Sequence, residues 1–296
     1  MTEPLAAPES PFPPRPSPSS DPSSTQSSSS SGPTHAKPLP VEFPLTSFSS
    51  TPHNVACFAF LLGACWAVGL VLVASNASTW FLWSLDAVKG AAGPLKLGER
   101  SLRTAVLGSP QLGAYLTSWA AFHLLEFVVT SMYNPGKLSV SSFLLDNGRG
   151  YHAAHIAGIL EHILEEAYLP EEWRRWKHAG GLVVVWIGQV LRSFAMISAS
   201  SNFSHLLAYS KRPGHQLVKT GIYSWSRHPS YAGFYWWAVG TQIVLGNPLC
   251  TIAFVAVLQG FFANRIKIEE AYLVKFFGKD YEDYRRKVPT RILFIP

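Results

Sequence analysis

The chain is poor in cysteine: three in 296 residues, Cys57, Cys65 and Cys250, with no CxxC spacing. That pattern gives neither a disulfide framework nor a thiolate zinc site, and no metal site is expected. Charge is scarce too. Asp, Glu, Lys and Arg make up 14% of the residues, against about one quarter in an ordinary globular chain. Hydrophobic residues reach 48% and aromatic residues 13%, with ten tryptophans. A large part of the chain therefore does not face water, and its aromatic rings suit membrane–water interfaces.

Apolar residues are sparse in the first stretch of the chain. Residues 1–52 hold 13 of the 22 prolines and a serine run from Ser27 to Ser31. Such a segment has too little apolar surface to offset its ordering entropy, so it is expected to be a disordered Ser/Pro-rich tail. It lacks the basic start and apolar run of a signal peptide. The tail carries a net −2, which leaves +8 on the remainder of a chain whose total is +6. In an apolar chain that surplus points to cytosolic loops and anionic headgroups rather than to nucleic acid.

Long uncharged runs are what the rest supplies. Residues 55–74 contain no charge and can cross a bilayer core of about 30 Å as a helix. Residues 111–133 are interrupted only by His123 and Glu126, and residues 181–199 only by Gln189 and Arg192. Residues 231–246 and 249–263 predict a helical hairpin turned at Asn247-Pro248. Residues 151–169 also carry His152, His155, Glu161, His162 and Glu165, which a spanning helix must bury against protein. The short run 79–88 is a weaker candidate. The expectation is an all-α, polytopic transmembrane bundle of six to eight spans, with a cytosol-facing cofactor pocket near the C-terminus. Residues 53–199 form its N-terminal helices, and residues 200–296 form a catalytic region with the hairpin and a C-terminal helix.

Orientation follows from where acids are absent. The loop 200–228 has Lys211, Arg212, Lys219 and Arg227 and no Asp or Glu, and residues 265–296 have eight Lys/Arg against five Asp/Glu. Both flank the hairpin, so both lie on one side, which the positive-inside rule makes cytosolic. Of two glycosylation sequons, Asn202-Phe-Ser would then be cytosolic and unused, and Asn76-Ala-Ser could be lumenal.

Polar and special residues crowd just before the hairpin. His215, Gln216, Leu217 and Val218 are followed by Tyr223, then by Arg227-His228-Pro229-Ser230-Tyr231. Pro229 suits the first turn of a helix. Free N–H groups of that turn, with His228 beside them, favour an anion. A second cluster, Arg265 with Glu269-Glu270, follows the second arm of the hairpin; Arg265 and Glu269 are four apart and share a helix face. An isolated pair of this kind is often a weak surface contact. Here both clusters emerge on the same side of the membrane, which suits a zwitterionic cofactor beside an anionic substrate.

These residues resemble the isoprenylcysteine carboxyl methyltransferases. The resemblance runs through His215-x-Leu-Val, Thr220-Gly-x-Tyr, Arg227-His-Pro-Ser-Tyr-x-Gly, Gly240-Thr-Gln, Asn247-Pro, Arg265 with Glu269-Glu270, Phe276-Phe-Gly and Val288-Pro-Thr. Upstream it continues through Ser201-Asn-Phe-Ser-His and Ser142-Phe-Leu-Leu to Phe122-His. It implies an endoplasmic reticulum membrane enzyme that esterifies the C-terminal S-prenylcysteine of processed CaaX proteins, Ras/Rho-like GTPases and prenylated peptides among them. It also implies that S-adenosyl-L-methionine binds through His215, Gln216, Leu217, Val218, Tyr223, His228, Pro229, Ser230, Tyr231 and Glu269. Arg265 and Glu269 would be the catalytic residues, with Arg265 on the substrate carboxylate. Ala208 departs from the pattern, since animal relatives carry a glutamine there that touches the cofactor.

The implied reaction needs little acid–base machinery. A carboxylate is already ionised at neutral pH, and a sulfonium methyl needs no metal to activate it. Residues 231–237 and 258–262 are candidate walls for a prenyl chain. A phospholipid methyltransferase is the nearest alternative, but an amine acceptor would not favour Arg265. A non-enzymatic transporter or scaffold has no use for the His215–Tyr231 series.

Overall fold

The computed structural model describes residues 49–77, 102–169 and 180–296. Nearly all of the Ser/Pro-rich tail, the run 79–88 and the charged segment after Leu169 lie outside the described residues. Among the described residues all regular structure is helical: α1 Pro52–Ser75, α2 Leu102–Leu107, α3 Pro110–Tyr133, α4 Gly148–Tyr168, α5 Gly180–Ala199, α6 Pro229–Leu245, α7 Pro248–Phe277 and α8 Lys279–Lys287. Short 3-10 turns join them. Pro52, Pro110, Pro229 and Pro248 each open a helix, where the missing proline N–H costs no hydrogen bond.

Four described helices, α1, α3, α5 with the turn after it, and α7, are long and apolar enough to cross a membrane. Along their middle turns the large exposed side chains are apolar, the pattern of helices that face lipid. Val183, Ile187, Val190 and Phe194 point outward from α5, and Leu249, Ile252, Val257 and Phe261 from α7. On α4 the outward strip is Ile156, Leu160 and Leu164, spaced one helical turn apart. His155 and His162 of α4 turn inward and are buried, and Glu161 and Glu165 are partly buried, whereas His152 stays exposed, contrary to the expectation that all five are buried. His155 meets the Tyr115 hydroxyl at 2.7 Å, and His162 bridges Ser109 Oγ at 2.7 Å and the Leu245 carbonyl at 2.8 Å. Glu161 accepts the N–H groups of Leu249 and Cys250 at 2.9 and 2.8 Å, so a carboxylate from α4 caps the first turn of α7.

The α6–α7 hairpin forms as its Asn-Pro turn predicts. Gly246 takes the left-handed conformation that closes α6, with φ 75°, and its N–H reaches the Gln242 carbonyl at 2.9 Å. Asn247 is buried and donates to Gly158 O and Gln242 Oε1. The second arm differs from its expected end at residue 263. It runs on as one helix to Phe277, because nothing between Arg265 and Phe277 breaks a helix before Gly278.

Glycine sets the tightest packing, between α5 and α6. A Cβ on Gly188 would stand 2.3 Å from Trp237 N, and one on Gly233 would stand 2.6 Å from Arg192 N. Backbone therefore touches backbone, and Arg192 is carried directly over the first turns of α6. Below, Phe122 and Trp237 stack at 4.0 Å, both fully buried.

Candidate functional site

The long C-terminal helix returns past the start of α6, and a cavity of about 120 Å³ lies between them. Its walls include all ten residues singled out for the cofactor: His215, Gln216, Leu217, Val218, Tyr223, His228, Pro229, Ser230, Tyr231 and Glu269. Asn202, Phe203, Leu273 and Phe277, which lie in or beside the segments the resemblance covers, also line it, and Tyr281 and Tyr284 of α8 are lining residues that sequence reasoning did not single out. Asn202 Oδ1 accepts the Gln216 N–H at 2.9 Å and so holds the 215–218 strip against the turn that follows α5.

Two features mark the cavity as built for a polar guest. His215 packs edge-on against Phe276 and Phe277, and its Nδ1 is buried without a hydrogen-bond partner among the described residues. Burial, followed by the nearby Arg212, Lys137 and Lys211 charges, lowers its pKa, so it stands neutral at pH 7. Glu269 accepts the Tyr231 hydroxyl on Oε2 at 2.5 Å, while Oε1 has no hydrogen bond among the described residues. A cavity with an uncommitted carboxylate oxygen and an unpartnered imidazole nitrogen fits a ligand that carries a cation and hydrogen-bonding groups.

The helix start behaves differently from expectation. Pro229 has no N–H, and the N–H groups of Tyr231 and Ala232 are spent on the His228 carbonyl. His228 Nε2 donates to Glu270 Oε1 at 3.1 Å. The free donors expected for an anion here are thus mostly committed within the protein.

Arg265 lies beside the cavity, outside its lining. It makes no direct pair with Glu269; Tyr231 stands between them. Arg265 Nε donates to the Tyr231 hydroxyl at 2.9 Å, and that hydroxyl donates on to Glu269. Nη2 donates to the His205 carbonyl at 2.7 Å. The guanidinium also lies over the rings of Tyr231 and Phe261. Nη1 has no hydrogen bond among the described residues.

Two buried carboxylates support this arrangement. Glu126 on α3 receives Arg192 Nε and Nη2 from α5 at 2.6 and 3.0 Å, and His205 Nε2 at 2.9 Å. Arg192 Nη1 goes on to Ser230 Oγ at 2.8 Å. Glu270 receives Arg227 Nε at 2.6 Å, and Arg227 also donates to the carbonyls of Val288 and Pro296. Tyr284 donates to the Tyr223 carbonyl. The chain after α7 is thereby tied down over the 223–228 loop. Charged residues inside apolar runs were the sequence signal for Glu126 and Arg192; nothing local announced their partners.

Fold and site together define an all-helical membrane protein with a polar, carboxylate-bearing cavity at one end of its helical hairpin. The family of isoprenylcysteine carboxyl methyltransferases (ICMT) matches residues 181–275. Similar proteins include the protein-S-isoprenylcysteine O-methyltransferase of Saccharomyces cerevisiae, 44% identical over 189 residues, covering 61% of this chain and 79% of that protein. The Xenopus laevis protein of the same name is 42% identical over 184 residues, 62% of this chain and 64% of that one. Among solved structures, the eukaryotic intramembrane Ras methyltransferase ICMT matches with a TM-score of 0.62 and 37% identity, over 66% of this chain and 71% of that one. The chain belongs to the isoprenylcysteine carboxyl methyltransferase family.

Proposed function

We propose that this protein transfers a methyl group from S-adenosylmethionine to the C-terminal carboxylate of S-prenylcysteine proteins, with the His215–Tyr231 cavity as cofactor site and Arg265 as acceptor site. The observation that carries the reading is the placement of Arg265. Its guanidinium stands one tyrosine away from the Glu269 carboxylate and the cavity, with Nη1 uncommitted.

Glu269 Oε1 would take the cofactor's ammonium, and His215 Nδ1 a further polar group of it. The 120 Å³ enclosed here is less than the roughly 300 Å³ at which small-molecule pockets begin. The bound cofactor supplies an electrophilic methyl group on a cationic sulfur. Arg265 Nη1 would hold one acceptor oxygen and leave the other free to attack. The hold must stay moderate, because the carboxylate loses its charge on the way to the ester and a strongly stabilised ground state slows the step. No side chain needs to remove a proton, since the acceptor is already ionised at neutral pH. The work is alignment, a contribution worth several kcal/mol when donor and acceptor are held in line, about 7–11 at best.

The prenyl chain accounts for the membrane setting, since each buried CH₂ is worth about 0.8 kcal/mol. We further propose that α4 and α6 cross the bilayer beside the four long apolar helices, and that the protein resides in the endoplasmic reticulum membrane with the cavity facing the cytosol. Ras/Rho-like prenylated GTPases are the proposed substrates.

Membranes carrying the protein, given labelled S-adenosylmethionine and N-acetyl-farnesylcysteine, should form a base-labile methyl ester. R265A should lose turnover and keep cofactor binding; near-normal turnover would remove Arg265 from the acceptor site. E269A should lose cofactor affinity by calorimetry.

A further inference from the structure

We infer that Glu126, Arg192 and His205 are positioning residues for Arg265, joined to it in a ring of hydrogen bonds that is closed through the backbone at Ser230–Tyr231 and within His205; the inference rests on the reading of Arg265 as the acceptor-carboxylate group. The ring can be walked in either direction from the Glu126–Arg192 pair. One way, Arg192 Nη1 donates to Ser230 Oγ at 2.8 Å, and the next residue, Tyr231, receives Arg265 Nε at 2.9 Å. The other way, Glu126 Oε2 accepts His205 Nε2 at 2.9 Å, and the His205 carbonyl receives Arg265 Nη2 at 2.7 Å. Both paths end on the same guanidinium, through two different nitrogens.

A pair that served packing alone would not need this. Glu126 is 1% exposed, and both of its oxygens already accept from a bidentate arginine. The His205 imidazole adds a tether on the segment after α5, and that tether aims a backbone carbonyl at Arg265. With Nε and Nη2 both fixed, the plane of the guanidinium is set, and so is the direction in which Nη1 points. Five separate elements meet here: α3, α5, the 203–206 segment, α6 and α7. Each contributes a contact, and the ring converts their packing into one orientation. Misplacement of a reacting group by about 1 Å can cost on the order of 10²-fold in rate.

The test uses the full chain, purified in lipid nanodiscs, with N-acetyl-farnesylcysteine as acceptor. H205A should raise the acceptor KM and lower kcat, each by about tenfold, while S-adenosylmethionine affinity by calorimetry stays unchanged. H205Q can still place an N–H toward Glu126 and should recover most of the loss. E126Q keeps the shape of the ring without its charge and should move in the same direction as H205A. In an R265K background H205A should add little further loss, because its effect runs through the arginine. An H205A protein that is merely less thermostable, with wild-type kcat and acceptor KM per folded molecule, overturns the inference. So does an equal loss in the wild-type and R265K backgrounds. A wild-type chain that forms no ester brings down the methyl-transfer reading and this inference with it; an active wild type with an indifferent H205A brings down the inference alone.

Discussion

Glu126 and Glu270 are two answers to one problem. Each is a buried carboxylate that accepts an arginine Nε at 2.6 Å and a histidine Nε2 at 2.9 or 3.1 Å. The surroundings differ. Glu126 lies inside the helical bundle with a side-chain exposure of 1%, and its arginine comes from a neighbouring transmembrane helix. Glu270 is 10% exposed, takes its arginine and histidine from the loop just before α6, and has Arg285 at 3.5 Å as a second arginine. The same donor set therefore does two jobs. Within the bundle it fixes one helix against another; at the rim it fastens the tail over the loop that walls the cavity.

The sharpest way to break that distinction is to remove each arginine. R192A leaves Glu126 charged and buried with only His205 beside it. Uncompensated buried charge costs about 3–5 kcal/mol, so R192A should sharply lower the yield of folded monomer in detergent and its melting temperature. R227A should cost less, about 1–3 kcal/mol, because Glu270 keeps His228 and Arg285. Its signature should be release of the tail: limited proteolysis should cut within residues 279–296 well before the rest. Equal destabilisation by R192A and R227A would erase the contrast.

A third histidine sharpens the comparison from another side. His205 and His228 each have a carboxylate partner, whereas His215 Nδ1 has none. Burial first, and then the surrounding cations, depress the His215 pKa, so the folded protein holds fewer protons there than the unfolded chain. Its contribution is complete above the ordinary histidine value of about 6.5 and is lost as pH falls through that value toward the depressed one. Stability measured by chemical denaturation should therefore drop between neutral and mildly acid pH, and H215Q should flatten that part of the profile. The smallest effect belongs to the exposed Arg286–Asp283 pair on α8. R286A should change stability by no more than about 0.5 kcal/mol.

Helix positions were legible because bilayer-spanning runs are long and uninterrupted. The predicted 111–133 and 181–199 runs match α3 and α5 to within a residue, and Asn247-Pro248 marked the hairpin turn. The end of α7 was not legible, since the shift from apolar to charged residues at Arg265 looks like a boundary while the backbone continues unbroken. Ten of the residues that line the cavity were named from the family resemblance, nine of them between 215 and 231 and the tenth Glu269; Tyr281 and Tyr284 on α8 carried no such signal. The wiring of the site could not be named in advance. Tyr231 between Arg265 and Glu269, or His205 reaching back 79 residues to Glu126, depends on how helices distant in sequence cross. Local charge spacing suggested a direct Arg265–Glu269 pair; a tyrosine hydroxyl from the neighbouring helix occupies that space instead.

The glycine contact between α5 and α6 bears on traffic. With Gly188 and Gly233 backbones touching those of the facing helix, no hydrocarbon tail can slip through that seam. The two helices form a welded plate carrying the first turn of α6 and the arginine beneath it. The α7 arm is built the other way, with Ile252, Val257 and Phe261 left bare along its outer flank instead of pressed backbone to backbone against a neighbour.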